Sequence, residues 1–148
     1  MSVNIRRKSV TDFLWPVRVY YEDTDAAGVV YYANYLKFME RARTEYVRAL
    51  GFEQDSLRDH DGIIFVVRDV SLQLHKPARF NDEIEIITST KSVARTNLIF
   101  IQKIRRTGEV EILSEAEIQV VGIDATSWKP KALPTAMQQA IKNNDKLE

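Results

Sequence analysis

The chain contains no cysteine. That excludes disulfides, thiolate metal sites and a cysteine nucleophile together, and it suits a reducing compartment. Net charge is also missing, because 21 Lys and Arg balance 21 Asp and Glu. Bulk attraction to nucleic acid or to a membrane surface is therefore not expected. No apolar run is long enough to cross a bilayer. The start, Met1 to Trp15, carries Arg6, Arg7 and Lys8 but no apolar stretch behind them, so a secretory signal is not expected either. These absences together predict a cytoplasmic protein with no transmembrane segment. Internal repeats, low-complexity tracts and flexible linkers are absent as well, which leaves one domain over 1–148 as the economical reading. Its core is expected at about 15–125, followed by a tail at 130–148 that carries a short helix. With 148 residues, 45% apolar and 28% charged, the composition is that of a globular chain able to bury one core.

What is present alternates first at strand period. Val17 to Tyr21 interleaves apolar and polar residues, with Pro16 expected at the first strand position, where a missing N–H matters least. Glu22 to Gly28 has loop composition. A helix is predicted from about Tyr35 to Leu50, with Asn34 as N-cap and Gly51 as the left-handed residue beyond its end. Tyr35, Met39, Ala42, Tyr46, Ala49 and Leu50 fall at helical spacing, and Phe38 and Val47 widen that apolar side. Glu53 to Gly62 reads as a polar stretch. Four strands are predicted after it, near Ile63–Leu74, Glu83–Thr90, Thr96–Arg105 and Glu111–Val121, with a hairpin turn at Thr107-Gly108-Glu109. A short helix over about Thr135–Asn143 closes the chain. This order implies an α+β fold, an antiparallel five-stranded sheet with one long helix against it. One helix cannot cover both sheet faces, and edge strands need covering, so at least a dimer is expected.

Chemistry concentrates between Tyr21 and Tyr35. Asp25 lies in a loop that leads to the N–H groups of a helix start, whose dipole favours developing negative charge. A carboxylate beside such donors suits acyl transfer: one group delivers or activates the nucleophile, the other stabilises the oxyanion. Gly28 allows the chain to turn and a ligand to approach its backbone. A capping and solvating loop is the bland alternative. A calcium loop fits poorly, because Ala27 and Asn34 stand where oxygen ligands are required. No metal or other cofactor is implied.

The run Trp15-Pro16-Val17-Arg18-Val19-Tyr20-Tyr21-Glu22-Asp23-Thr24-Asp25-Ala26-Ala27-Gly28-Val29-Val30-Tyr31-Tyr32, continuing through Phe38-Met39-Glu40-Arg41-Ala42-Arg43-Thr44-Glu45, closely resembles the 4-hydroxybenzoyl-CoA thioesterase family. Its nearest branch is the Tol–Pal-associated acyl-CoA thioesterases. The resemblance continues through Phe65 to Arg68, Pro77-Ala78-Arg79, Arg95 to Leu98 and Pro130 to Pro134. It implies a hotdog fold, a five-stranded antiparallel sheet wrapped around one long central helix, and hydrolysis of an acyl-CoA thioester. It implies Asp25 as the catalytic carboxylate and the backbone N–H of Tyr32 as the oxyanion donor, with Asp23 shaping the loop. Gly28, Val67, Arg68, Arg95 and Thr96 fall on substrate-side positions. Homodimers or homotetramers with the substrate at a subunit interface are implied too, with acyl carrier protein as an alternative thioester donor. One position departs from the pattern: many members of that branch carry His where this chain has Tyr32.

Asp25 would either attack the carbonyl, forming an anhydride, or orient the attacking water, and the sequence leaves both open. Other candidates carry less. Glu40 and Glu45 lie on the long helix, where Glu45 can pair with Arg41 or Arg48. Neither His60 nor His75 sits in the histidine–carboxylate motif that a hotdog dehydratase needs. A non-catalytic acyl-thioester or carrier-protein binding module is the rival from a different class, and thiol release separates it from an enzyme.

Overall fold

The structure, a computed structural model, describes residues 12–147. The reading made of Arg6, Arg7 and Lys8 falls outside them, as do the outermost ends of the expected domain. Five strands form one sheet: β1 (Phe13–Arg18), β2 (Ile63–Leu74), β3 (Glu83–Val93), β4 (Asn97–Arg106) and β5 (Ile112–Asp124). Their spatial order is β1-β3-β4-β5-β2, and all neighbours are antiparallel. Three α-helices accompany them: α1 (Asn34–Ala49), α2 (Gln54–Asp61) and α3 (Thr135–Asp145). The expected sheet is present, whereas the expected long helix is the longest of three.

Several expected boundaries move, each for a physical reason. The first strand begins at Phe13 rather than Val17, because Phe13, Trp15 and Val17 form its half-buried face while Leu14, Pro16 and Arg18 stay exposed. Pro16 therefore lies mid-strand, which the sheet tolerates because β1 is an edge. Tyr21 leaves the strand and opens a 3-10 turn over Tyr21–Asp23. The polar stretch after Phe52 is a helix, α2, anchored by Leu57 as its single buried residue and ended by Gly62 in the left-handed conformation (φ +66°). Asn34 is the first helical residue rather than the cap. Its side-chain N–H donates instead to the Asp23 carbonyl at 2.8 Å. Ala49 is exposed, since the packed face of α1 is Tyr35, Phe38, Met39, Ala42, Tyr46 and Val47.

The core lies between α1 and one face of the sheet. Ile84, Ile86, Thr88 and Thr90 of β3, Leu98, Phe100, Gln102 and Ile104 of β4, and Ser114, Ala116, Ile118 and Val120 of β5 are all buried at period two. Each fully buried large apolar side chain contributes roughly 1.5–3 kcal/mol. α1 packs chiefly on β1 and β3, α2 on β2, and α3 on β3. The β2–β3 connection, residues 75–82, must then travel past the ends of β5 and β4. This crossing strap is what holds the Asp25 loop in place.

Candidate active site

The loop between β1 and α1 is tied to the strap at both of its ends. Val19 N–H donates to the Asp82 carbonyl and Asn81 N–H to the Val19 carbonyl, both at 2.9 Å. Val30 N–H donates to the Ala78 carbonyl at 2.8 Å, beside a bridge between Val29 and Arg79. Ala78, wholly buried, gives its own N–H to the Tyr35 hydroxyl at 3.0 Å. Burial pushes the Tyr35 phenol pKa upward, partly offset by that hydrogen bond and by Arg106. Asp23 shapes the loop through its side chain, accepting the Tyr20 N–H at 2.8 Å.

Asp25 sits at a tight turn. Its N–H donates to the Val29 carbonyl and its carbonyl accepts the Gly28 N–H, both at 2.9 Å. Gly28 closes this turn at φ +81°, and nothing lies within 4 Å of where a Cβ would stand. The Asp25 carboxylate is exposed, and Oδ1 accepts the Ala27 N–H at 2.9 Å. Oδ2 has no hydrogen bond among the described residues.

The start of α1 supplies the complementary charge. The N–H groups of Asn34, Tyr35 and Leu36 turn back to the carbonyls of Tyr31, Tyr32 and Ala33. The N–H groups of Tyr32 and Ala33 have no partner among the described residues. Unpaired donors at a helix start form a site for negative charge. Asp25 and Tyr32 line one open cleft of about 250 Å³, together with Tyr35, Leu74, His75 and Pro77. Asp25, with one carboxylate oxygen unbonded among the described residues, and Tyr32, with an unpaired backbone N–H, thus line the same cleft.

The other expected site residues lie elsewhere in the chain. Val67, 46% exposed on β2, lines a separate cavity between α1 and the β4–β5–β2 part of the sheet. Arg68 is exposed at a bulge of β2. Arg95 and Thr96 occupy the β3–β4 turn, at the opposite end of the sheet from Asp25. Their carbonyls accept the N–H groups of Leu133 and Gly122 at 2.8 and 2.7 Å. One chain alone does not bring these four to the Asp25 cleft. Cations near the strand ends are engaged: Lys91 with Glu117, Arg105 with Glu85, and Arg106 with Asp82. On α1, Glu45 pairs with Arg48 at 2.6 Å and Glu40 accepts the Thr44 hydroxyl at 2.9 Å. His60 is exposed, its Nδ1 3.2 Å from the Ser56 carbonyl. His75 meets Glu115 at 2.8 Å on the wall of the Asp25 cleft. Tyr35, which the sequence assigns only to the apolar face of the helix, and His75, to which it gives little weight, both line the cleft. The signal for them was their closeness to the Asp-Thr-Asp and Pro-Ala-Arg segments.

The family model of the thioesterase-like superfamily matches residues 19–141, which takes in the loop, the strap and every strand after β1. The chain belongs to that superfamily. Its five-stranded antiparallel sheet and helices are those of the hotdog thioesterase fold. The chain is 46% identical to an Escherichia coli protein named acyl-CoA thioester hydrolase YbgC, over 90% of this chain and 98% of that one. Among solved structures, a probable thioesterase from Bartonella henselae is 32% identical with a TM-score of 0.78, covering 83% of this chain and 99% of that one. The DHNA-CoA thioesterase of Staphylococcus aureus shares the fold at a TM-score of 0.85 and 22% identity, covering 92% of each chain.

Proposed function

We propose that this protein is an acyl-CoA thioesterase, in which Asp25 attacks the thioester carbonyl or activates water against it. The Tyr32 N–H holds the oxygen that becomes negatively charged. The observation that carries this reading is the shared cleft, lined by Asp25, which has a carboxylate oxygen without a partner among the described residues, and by Tyr32, whose helix-start N–H is unpaired among them. An oxyanion-hole donor contributes roughly 2.7–4 kcal/mol to such a transition state. Because the donor is backbone, the tyrosine at this position is compatible with the role. The relatives named for acyl-CoA thioester hydrolysis support the substrate class.

The same reading includes a single domain built around α1 as its central helix, working in the cytoplasm as a homodimer or homotetramer. Edge strand β2 supports the assembly, since Val67, Val70 and Leu74 are 41–52% exposed on its helix-facing side. If two copies pair β2 antiparallel about a two-fold axis, the helix-facing residues of one copy lie beside those of the partner, with the Leu74 end of one strand running toward the Val67 end of the other. The Asp25 cleft of each copy then opens toward the α1 cavity of the other. Arg68, Arg95 and Thr96 would reach substrate from the second subunit in the same way. Acyl carrier protein as thioester donor and a Tol–Pal connection belong to this proposal.

The test is thiol release from a panel of acyl-CoA esters by the native protein and by Asp25→Asn. A fall of about a hundredfold or more in the variant is expected. Equal rates would remove Asp25 from the mechanism. Acyl-CoA binding without thiol release from any ester would leave a binding module.

A further inference from the structure

We propose that Arg43 selects the acyl group, and that the cavity beneath α1 receives a short chain ending in a carboxylate that pairs with its guanidinium. This rests on the composite-site reading above, in which the reacting carbonyl lies at the mouth of that cavity.

The cavity holds about 110 Å³ and is walled mainly by apolar side chains, among them Phe65, Leu98, Phe100 and Val120. Arg43 stands among them. A guanidinium offers five N–H donors. Here Nη1 donates to Gln102 Oε1 at 3.0 Å, its one hydrogen bond among the described residues. Gln102 is wholly buried, and its amide nitrogen donates to the Met39 carbonyl at 2.9 Å and to Thr88 Oγ1 at 3.0 Å. Those two bonds fix the amide so that its oxygen faces Arg43, and they aim the guanidinium in turn.

Among the described residues no carboxylate lies within ion-pair distance of Arg43. Glu40 also lines this cavity, but its carboxylate is exposed, accepts the Thr44 hydroxyl and acts on Arg43 from beyond ion-pair distance. Burial pulls the Arg43 pKa below its ordinary value. A neutral side chain would link α1 to Gln102 without the cost of partly desolvating a cation. A positioned cation in apolar surroundings instead complements an arriving anion, and Arg meets a carboxylate with two parallel bonds.

Volume limits the chain. At about 110 Å³ the cavity is small, which suits a carboxylate on a short methylene tail, the end of a short dicarboxylic half-thioester.

The test compares succinyl-CoA with isocaproyl-CoA, its apolar isostere, and with levulinyl-CoA, its neutral ketone analogue. Two quantities are read for each ester: kcat/KM for thiol release, and the dissociation constant by calorimetry on the Asp25→Asn chain. Native protein is expected to favour succinyl-CoA over isocaproyl-CoA by at least about tenfold in both, with the ketone between them. Arg43→Gln and Arg43→Met should bring the ratio to about one, and Arg43→Lys should keep part of it. A native preference for isocaproyl-CoA, a ketone bound as well as succinate, or a ratio unchanged in Arg43→Gln would overturn the proposal. Should the Gln and Met variants fail to fold, the native ratios and Arg43→Lys still decide. If no ester releases thiol, the hydrolase reading fails, while the binding ratios continue to judge Arg43 on their own.

Discussion

Gly122 in β5 leaves no room for a methyl group. A Cβ there would stand 2.9 Å from Ile63 Cδ1, 2.9 Å from Leu133 Cδ2 and 3.0 Å from the Lys131 carbonyl oxygen. The side-chain ends could swing only into filled space, because Ile63 and Leu133 are both buried. The carbonyl is held more firmly still. Lys131 N–H donates to the Gly122 carbonyl at 2.9 Å, and Leu133 N–H to the Arg95 carbonyl at 2.8 Å. Gly122→Ala must therefore push the segment around Lys131–Leu133 away from β5. Overpacking of this kind costs about 1–3 kcal/mol, offset by roughly 0.5–1 kcal/mol from the lower strand cost of Ala relative to Gly. The net loss centres on about 1 kcal/mol and reaches at most about 2.5 kcal/mol, which lowers Tm by roughly 2–4 °C at the centre of that range for a domain of this size. Thermal unfolding followed by circular dichroism reads it directly. Leu133→Ala sharpens the test, since removing one of the clashing groups should make the double variant less destabilised than the sum of the two singles. An unchanged or higher Tm in Gly122→Ala, or strict additivity in the pair, would refute the packing argument.

Burial pushes the Tyr46 phenol pKa upward, and its hydroxyl lies 3.2 Å from both Thr90 Oγ1 and Asp145 Oδ2. The folded state thus holds this proton more tightly than the unfolded chain. The stability it contributes is full below about pH 10 and is lost above it, by at most about 1.4 kcal/mol per pH unit. Urea midpoints measured from pH 8 to 11 should fall less steeply in Tyr46→Phe than in native protein. Tyr35→Phe leaves the buried Ala78 N–H without its acceptor, a loss of about 1–3 kcal/mol. Faster amide exchange at Ala78 should accompany it, and unchanged exchange would count against the Tyr35–Ala78 link.

β2 was legible to the residue, and β3, β4 and β5 within a few residues at each end, because period-two burial is written directly into Ile84-x-Ile86-x-Thr88 and its neighbours. α1 was legible for the same reason at helical period. α2 was not, since eight polar-rich residues anchored by Leu57 alone carry no stripe; its reason for being a helix is its packing on β2. The place of Asp25 in a loop ahead of a helix start could be read from the sequence, and so could Asp23 as a loop former. What the sequence could not reveal was the strap. That Pro77-Ala78-Arg79 lies against Val29 and Val30 follows from a crossover between non-adjacent strands, and no local pattern encodes it. The distance of Arg95 and Thr96 from Asp25 has the same origin, because strand length separates the two ends of the sheet.

The two borders of the sheet are chemically unequal. On one, Pro16 interrupts β1 partway along with a nitrogen that has no hydrogen to give. On the other, β2 runs for 12 residues with no proline in it. A strand pairing along the first border would pass a residue with no N–H to offer, while one along the second would meet no proline. A sheet that can be extended from one side only cannot propagate by edge pairing. On the proposed pairing through β2, each copy would present its proline-bearing border, and growth would stop at the pair instead of running on into a fibre.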